Sequence, residues 1–286
     1  MKFINKKKSC RELASAHKSN DSYEDDLDKK TKSKVLQDLL QEQGFLCGFC
    51  MRRISEKNAT IEHLIGQNFN NAKGKGYDYN KLVENYQNHL EELVGKIKKN
   101  ELNTIGTKND TNYANMIAVC EGDKNKFCFN EITCDKKRAE YQAKRPIIFI
   151  TPLNKMKMDN LVFSENGRVH YKESLDEKEI EALRETKRLT QKQRDDGFDQ
   201  YDVNYHLSED ENIQYDLNHV LNLNCKGLVE ERGQIIKRIR TTLFFKTTSK
   251  TRKKRAINLL EKWEQKTDDK FDEFCQVAIF LLKKYV

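Results

Sequence analysis

An α+β, mostly helical fold is what this 286-residue sequence predicts, and three observations carry the prediction. Charged residues make up 34% of the chain and hydrophobic ones 37%, and long Lys/Glu-rich stretches set their apolar residues three or four apart, the spacing of one helix face. Short β-branched segments bounded by turn residues interrupt those stretches. Two pairs of cysteines, far apart in the chain, are spaced so that they could meet on one metal ion. With only two prolines, Pro-rich linkers are excluded, and the length suits one or two domains.

Taken in order, residues 1–30 are polar, with a short strand expected at Lys2–Ile4 and an acidic patch at Glu24–Asp26. From Lys32 to Gln43, Val35, Leu36, Leu39 and Leu40 fall on one helix face, and Gly44 stands where a C-cap glycine belongs. The Cys47-Gly-Phe-Cys50 knuckle follows, then Arg52 and Arg53, then a β-branched segment from Thr60 to Ile65 bearing Glu62 and His63 side by side. Beyond a loop rich in Gly, Asn and Lys, a second amphipathic helix is expected from about Asn80 to Lys99. Tyr113–Cys120 is apolar and bounded by turn residues, which fits a strand or the start of a buried helix. Asp135–Tyr141 reads as a helix and Pro146–Ile150 as a buried strand closed by Pro152. Leu161–Tyr171 reads as a hairpin turning at Asn166-Gly167, with His170 structural or exposed.

From Leu175 onward the chain reads as mostly helical and basic. It includes Leu221-Asn-Leu-Asn224, the run Lys250–Arg255, and a terminal helix with Trp263, Phe271, Phe274 and Ile279. The basic run fits a phosphate contact or a solvated helix face equally, and Phe244 and Phe245 before it read as core. The expected division is residues 1–155, with an insertion at about 70–111, and residues 156–286, a hairpin plus a basic helical region.

Formal net charge is +8, which suits an anionic partner such as nucleic acid, although 45 acidic residues dilute it. Eight cysteines and an N-terminal segment without a long apolar run point to a reducing cytoplasm, and to metal ligation rather than disulfides. No stretch approaches the ~20 apolar residues of a membrane span, and Ala278–Leu282 is short and flanked by lysines, so no membrane partner is expected.

Cys47 and Cys50 alone fit half a zinc site, a redox pair or two buried thiols. Cys120 and Cys134 can supply the other half, and four thiolates tying segments some seventy residues apart would add folding free energy. Cys128 lies between the second pair and could replace either member; Cys10, Cys225 and Cys275 read as buried free thiols.

Thr60-Ile-Glu-His-Leu-Ile65, Tyr113-Ala-Asn-Met-Ile-Ala-Val-Cys120 and Thr133-Cys-Asp-Lys-Lys-Arg-Ala139 together resemble the three-part motif of HNH endonucleases. The resemblance implies a zinc-braced ββα-metal finger with helical flanks that hydrolyses phosphodiester bonds. On it, His63 would be the general base, Glu62 and Asp135 would hold a catalytic Mg²⁺ or Mn²⁺, and Asn115 would position His63. Cys47, Cys50, Cys120 and Cys134 would hold structural Zn²⁺, while Arg52, Arg53, Lys136 and Arg138 would contact nucleic acid. The charge logic agrees. A hard cation on carboxylates neutralises the phosphoryl oxygens, and an imidazole takes the water's proton. His63 could instead be a core histidine or a zinc ligand.

A narrower resemblance, running from Met1-Lys-Phe-Ile4 to Leu221-Asn-Leu-Asn224, is to the HNH subunit of Septu-type anti-phage systems, which also appears in some retron systems. It implies an ABC- or SMC-like ATPase partner and, in the retron versions, a reverse transcriptase with its RNA–DNA product. The long gap from His63 to Asn115 and the stretch from Glu121 to Thr133 depart from the family pattern. Two rival readings remain: a non-catalytic zinc-finger adaptor gripping nucleic acid or the ATPase, and a thiol redox protein, which lacks the βαβ pattern it would need.

Overall fold

The computed structural model describes residues 1–6, 10, 11, 13, 23, 27–64, 111–122, 131–141, 148–172 and 208–286. The expected insertion helix, the acidic patch at Glu24–Asp26 and Cys128 lie outside the described residues.

Helix α1 (Lys29–Glu42) begins three residues before the expected start at Lys32, because Asp28 caps it by accepting the Thr31 N–H at 2.8 Å. It buries Val35, Leu39 and Leu40 and gives way to Gly44 at φ +62°. Strands β1 (Ala59–His63) and β2 (Met116–Cys120) pair antiparallel, with Ala59 opposite Cys120 and His63 opposite Met116. The choice left open by the Tyr113–Cys120 segment resolves to a strand, introduced by a 3-10 turn at Tyr113–Asn115. Met116 to Val119 are all buried because β2 is covered twice, by α1 and by α2 (Cys134–Tyr141). Its outer edge is closed by a side chain: Gln43 donates to the Ala118 carbonyl at 2.8 Å and accepts the Ala118 N–H at 2.7 Å.

The chain continues through the short helix α3 (Lys155–Asp159) into the expected hairpin, β3 (Leu161–Phe163) with β4 (Val169–Tyr171). Helix α4 (Glu209–Tyr215) starts on a Ser208/Glu211 capping box and runs into one π-helical turn, Asp216–Val220. Three longer helices complete the fold: α5 (Lys226–Phe244), α6 (Ser249–Glu264) and α7 (Cys275–Lys283), with α7 packed on α5, α6 and β3. One apolar core runs through all of these elements, from Met1 to Leu282, across the boundary expected near residue 155. Among the described residues no helix is long and apolar enough to cross a membrane.

Three expectations are corrected. Ile148–Ile150 is buried but forms no strand, since the N–H groups of Phe149 and Ile150 donate to the buried Asp216 carboxylate at 2.5 and 3.3 Å. Lys2–Ile4 is no strand either; Ile4 donates a single backbone bond to the Pro152 carbonyl at 2.8 Å. Phe244 and Phe245 are 45% and 63% exposed and are not core.

Candidate metal centre and the neighbouring strand end

The knuckle is folded by its own backbone. Cys47 donates its N–H to the Arg52 carbonyl at 2.8 Å, Met51 donates to Cys47 at 3.1 Å, and Met51 takes φ +68°. The β1–β2 register then delivers Cys120 beside the knuckle, where its N–H points at the Cys47 sulfur, 3.3 Å away. Cys134 arrives from the far side. Thr133 donates to the Gly122 carbonyl at 3.3 Å and Cys134 to the Leu221 carbonyl at 3.0 Å, while Asn222 holds the Ile132 carbonyl at 3.0 Å. Gly122 sits at φ +67°, and a Cβ there would overlap the Thr133 carbonyl oxygen.

The four sulfurs lie within 4.8 Å of one another. Four ligands about 2.3 Å from a tetrahedral centre lie about 3.8 Å apart. Cys47 and Cys134 are separated by 3.9 Å and Cys50 and Cys120 by 3.8 Å. The protonation chemistry points the same way. Burial pushes the Cys47 thiol up, but hydrogen bonds from Cys120, Cys134 and Cys50 outweigh it and hold its pKa well below the usual range. Cys50 is pushed well up, chiefly by its bond with Cys120, and Cys134 well up, chiefly by burial. Several thiolates brought this close in a buried site repel one another, and a cation among them would relieve that repulsion. These residues fit a metal ion such as zinc.

Beside this centre, the adjacent residues Glu62 and His63 part company, since neighbours on a strand face opposite ways. Glu62, 8% exposed, forms an ion pair with Arg138 of α2. Arg138, 1% exposed, also donates to the carbonyls of His63 and Leu64 at 2.7 and 2.8 Å. Burial lowers its pKa to about 10, with Asp216 acting in the opposite sense. His63, 7% exposed, packs against Tyr23 edge to face, with ring centroids 5.1 Å apart. Asn115 is fully buried, and its carbonyl accepts the Leu64 N–H at 2.8 Å, closing the strand end at His63. Asp135, in the first turn of α2, accepts a bond from the Thr60 hydroxyl at 3.3 Å. Burial raises its pKa, and the Thr60 bond opposes that.

Glu62, His63, Asn115 and Asp135 therefore all come from the ββα unit. Among the described residues, however, the four cysteines are the only group of three or more His, Cys, Asp or Glu that could hold a metal. Of the basic residues expected to face nucleic acid, only Lys136 is exposed. Arg52 makes a bidentate pair with Glu231 of α5 at 2.8 and 3.0 Å, tying the knuckle to that helix. Arg53 donates to the Gly44 carbonyl at 3.1 Å and to the Phe271 carbonyl. These arginines and Arg138 are internal braces. The Leu221–Asn224 loop, which entered the sequence reading only through the resemblance, seats Cys134; its paired asparagines, residues that hydrogen-bond backbone groups, were the chemical clue to that role.

Compared with models of known families, the chain matches none, and no curated protein matches it. What the fold and site define is an α+β protein, with about half of the described residues helical, two small antiparallel sheets among them and a four-cysteine cluster that could bind a metal.

Proposed function

We propose that the chain is an HNH-type, metal-dependent endonuclease, braced by zinc, that acts with an ATPase partner in anti-phage defence. The observation that supports this most is the descent of Glu62, His63, Asn115 and Asp135 from a single ββα unit beside the thiol cluster. His63 would take the proton of the attacking water, and the Asn115 carbonyl bond to Leu64 would fix the strand end that carries it. Asp135 would offer its carboxylate to a divalent cation, joined by Glu62 once Arg138 lets go. Such a cation, when bound, would neutralise charge on the phosphoryl oxygens.

The pairing of Glu62 with Arg138, and the burial of His63, favour a second reading in which the finger is a structural grip on nucleic acid or on the ATPase. Wild type and His63→Ala, each co-expressed with its ATPase, separate the two. Plasmid DNA and total tRNA are offered with Mg²⁺, with Mn²⁺ and with neither. Metal-dependent cutting that is lost in the variant supports the nuclease. Equal behaviour of two zinc-loaded proteins leaves the grip.

A further inference from the structure

With Arg52, Arg53 and Arg138 turned inward, the positive charge lies elsewhere. Between Arg232 and Leu260 stand ten Lys and Arg and no Asp or Glu, against a whole-chain net of +8, so the remainder of the chain is net acidic. That stretch is the second half of α5, the turn after it and most of α6. Some of its cations are engaged: Arg232 is buried, Arg240 pairs with Glu165 at 2.5 Å, and Arg255 donates to the Thr242 and Phe245 carbonyls. Lys246, Lys250, Lys253 and Lys254 are exposed, and the last three share one face of α6.

The corner between these helices also carries the only exposed phenylalanines among the described residues. Arg252 stacks its guanidinium 4.1 Å from the Phe244 ring, whose edge meets Tyr285 at 5.6 Å, and Lys246 lies 5.4 Å from the ring of Phe245. Aromatic platforms among cations, with no acid in the stretch itself and Glu165 already paired with Arg240, are the chemistry of single-stranded nucleic acid: bases stack and phosphates are neutralised. A duplex would use the cations and leave the rings idle. A lipid surface would call for a wider apolar face than two rings.

We propose that the α5–α6 corner docks single-stranded nucleic acid, stacking a base on Phe245 and laying phosphates along Lys246, Lys250, Lys253 and Lys254. The inference deepens the nucleic-acid reading above, but it does not need the chain to cut. Glu231, bonded to the knuckle's Arg52, lies thirteen residues before Phe244, about 20 Å along α5. The corner is therefore set apart from the knuckle.

The test is fluorescence anisotropy in magnesium-free buffer with the full chain and labelled oligothymidylate or oligouridylate of about 16 nucleotides. Wild type binds, and the affinity falls steeply between about 50 and 200 mM salt. Combining Lys250→Gln, Lys253→Gln and Lys254→Gln flattens the log–log salt slope by about 2, three contacts at about 0.7 each. Phe245→Ala weakens single-strand binding about 5- to 100-fold and leaves duplex binding unchanged. Circular dichroism melts confirm that each variant is folded. No binding by wild type, unchanged binding by the lysine variant, equal effects of Phe245→Ala on duplex, or a preference for phosphatidylserine vesicles would each overturn the proposal. A chain that binds as described and never cuts removes the nuclease reading and leaves this one standing.

Discussion

Replacing Arg138 tests how the ββα unit is held and what Glu62 is free to do. The guanidinium is buried and serves three acceptors: the Glu62 carboxylate and the carbonyls of His63 and Leu64. Methionine matches the stem of the side chain and donates nothing, so Arg138→Met strips all three of that donor. Breaking a buried pair from one side costs about 3–5 kcal/mol, and a carbonyl deprived of its donor adds about 1–3 kcal/mol. The contributions overlap, and we expect a loss of about 4–6 kcal/mol, comparable to the total stability of a marginal domain, ~5–15 kcal/mol. Glu62→Gln keeps the shape and leaves Arg138 its two carbonyls but strands its buried charge, so about 3 kcal/mol is expected. In urea unfolding of the two single variants and the double variant, a true pair yields a coupling energy above about 1.5 kcal/mol. Additivity to within about 0.5 kcal/mol would refute the claim that the two side chains hold each other. The same proteins address function. With Arg138 gone, the Glu62 carboxylate is available, so millimolar Mg²⁺ should raise the melting temperature of Arg138→Met and leave that of wild type unchanged.

Two further predictions concern the thiol cluster. Protein purified from zinc-supplemented medium should carry one zinc per chain by plasma mass spectrometry, and Cys120→Ser should lose it and melt lower. Acid should release the ion from wild type as the thiolates protonate, and a chelator-treated chain that melts unchanged would count against a bound structural metal. Gly122→Ala meets a left-handed backbone and the Thr133 carbonyl at once. It should cost about 2–4 kcal/mol, the left-handed conformation alone accounting for about 1–2 kcal/mol. Because Thr133 leads into Cys134, zinc affinity should fall with it, as read by competition with a chromophoric chelator.

Much of this architecture was legible because it rests on local pattern. The apolar spacing of Val35, Leu39 and Leu40 is a helix face, and Asn166-Gly167 between two alternating segments is a hairpin. The pairing of Cys47 and Cys50 with Cys120 and Cys134 was legible from spacing, and the fold brings those sulfurs together. What escaped is what depends on a partner distant in sequence. Ile148–Ile150 has the composition of a strand, but its donors are taken by a carboxylate some sixty-six residues away, so no ladder forms. Phe244 and Phe245 look like core in a chain of apolar helix faces; the end of α5 at a corner leaves them outside.

The arginines are the most instructive failure, because a reading by charge sends them to the surface. In this chain no described strand exceeds five residues, and the strands form only two-stranded sheets. Strand ends, hairpin turns and helix ends leave many carbonyls without a ladder partner. A guanidinium offers five donors in a planar fork and can hold two carbonyls at once, which an ammonium does less well. Arg53, Arg138, Arg232 and Arg255 each do this, at Gly44 and Phe271, His63 and Leu64, Gly167 and Leu223, and Thr242 and Phe245. Where the described strands are this short, arginine becomes backbone mortar, and most of the cations left exposed along the second half of α5 and α6 are lysines. The exposed cations at the α5–α6 corner, Lys246, Lys250, Lys253 and Lys254, are those lysines.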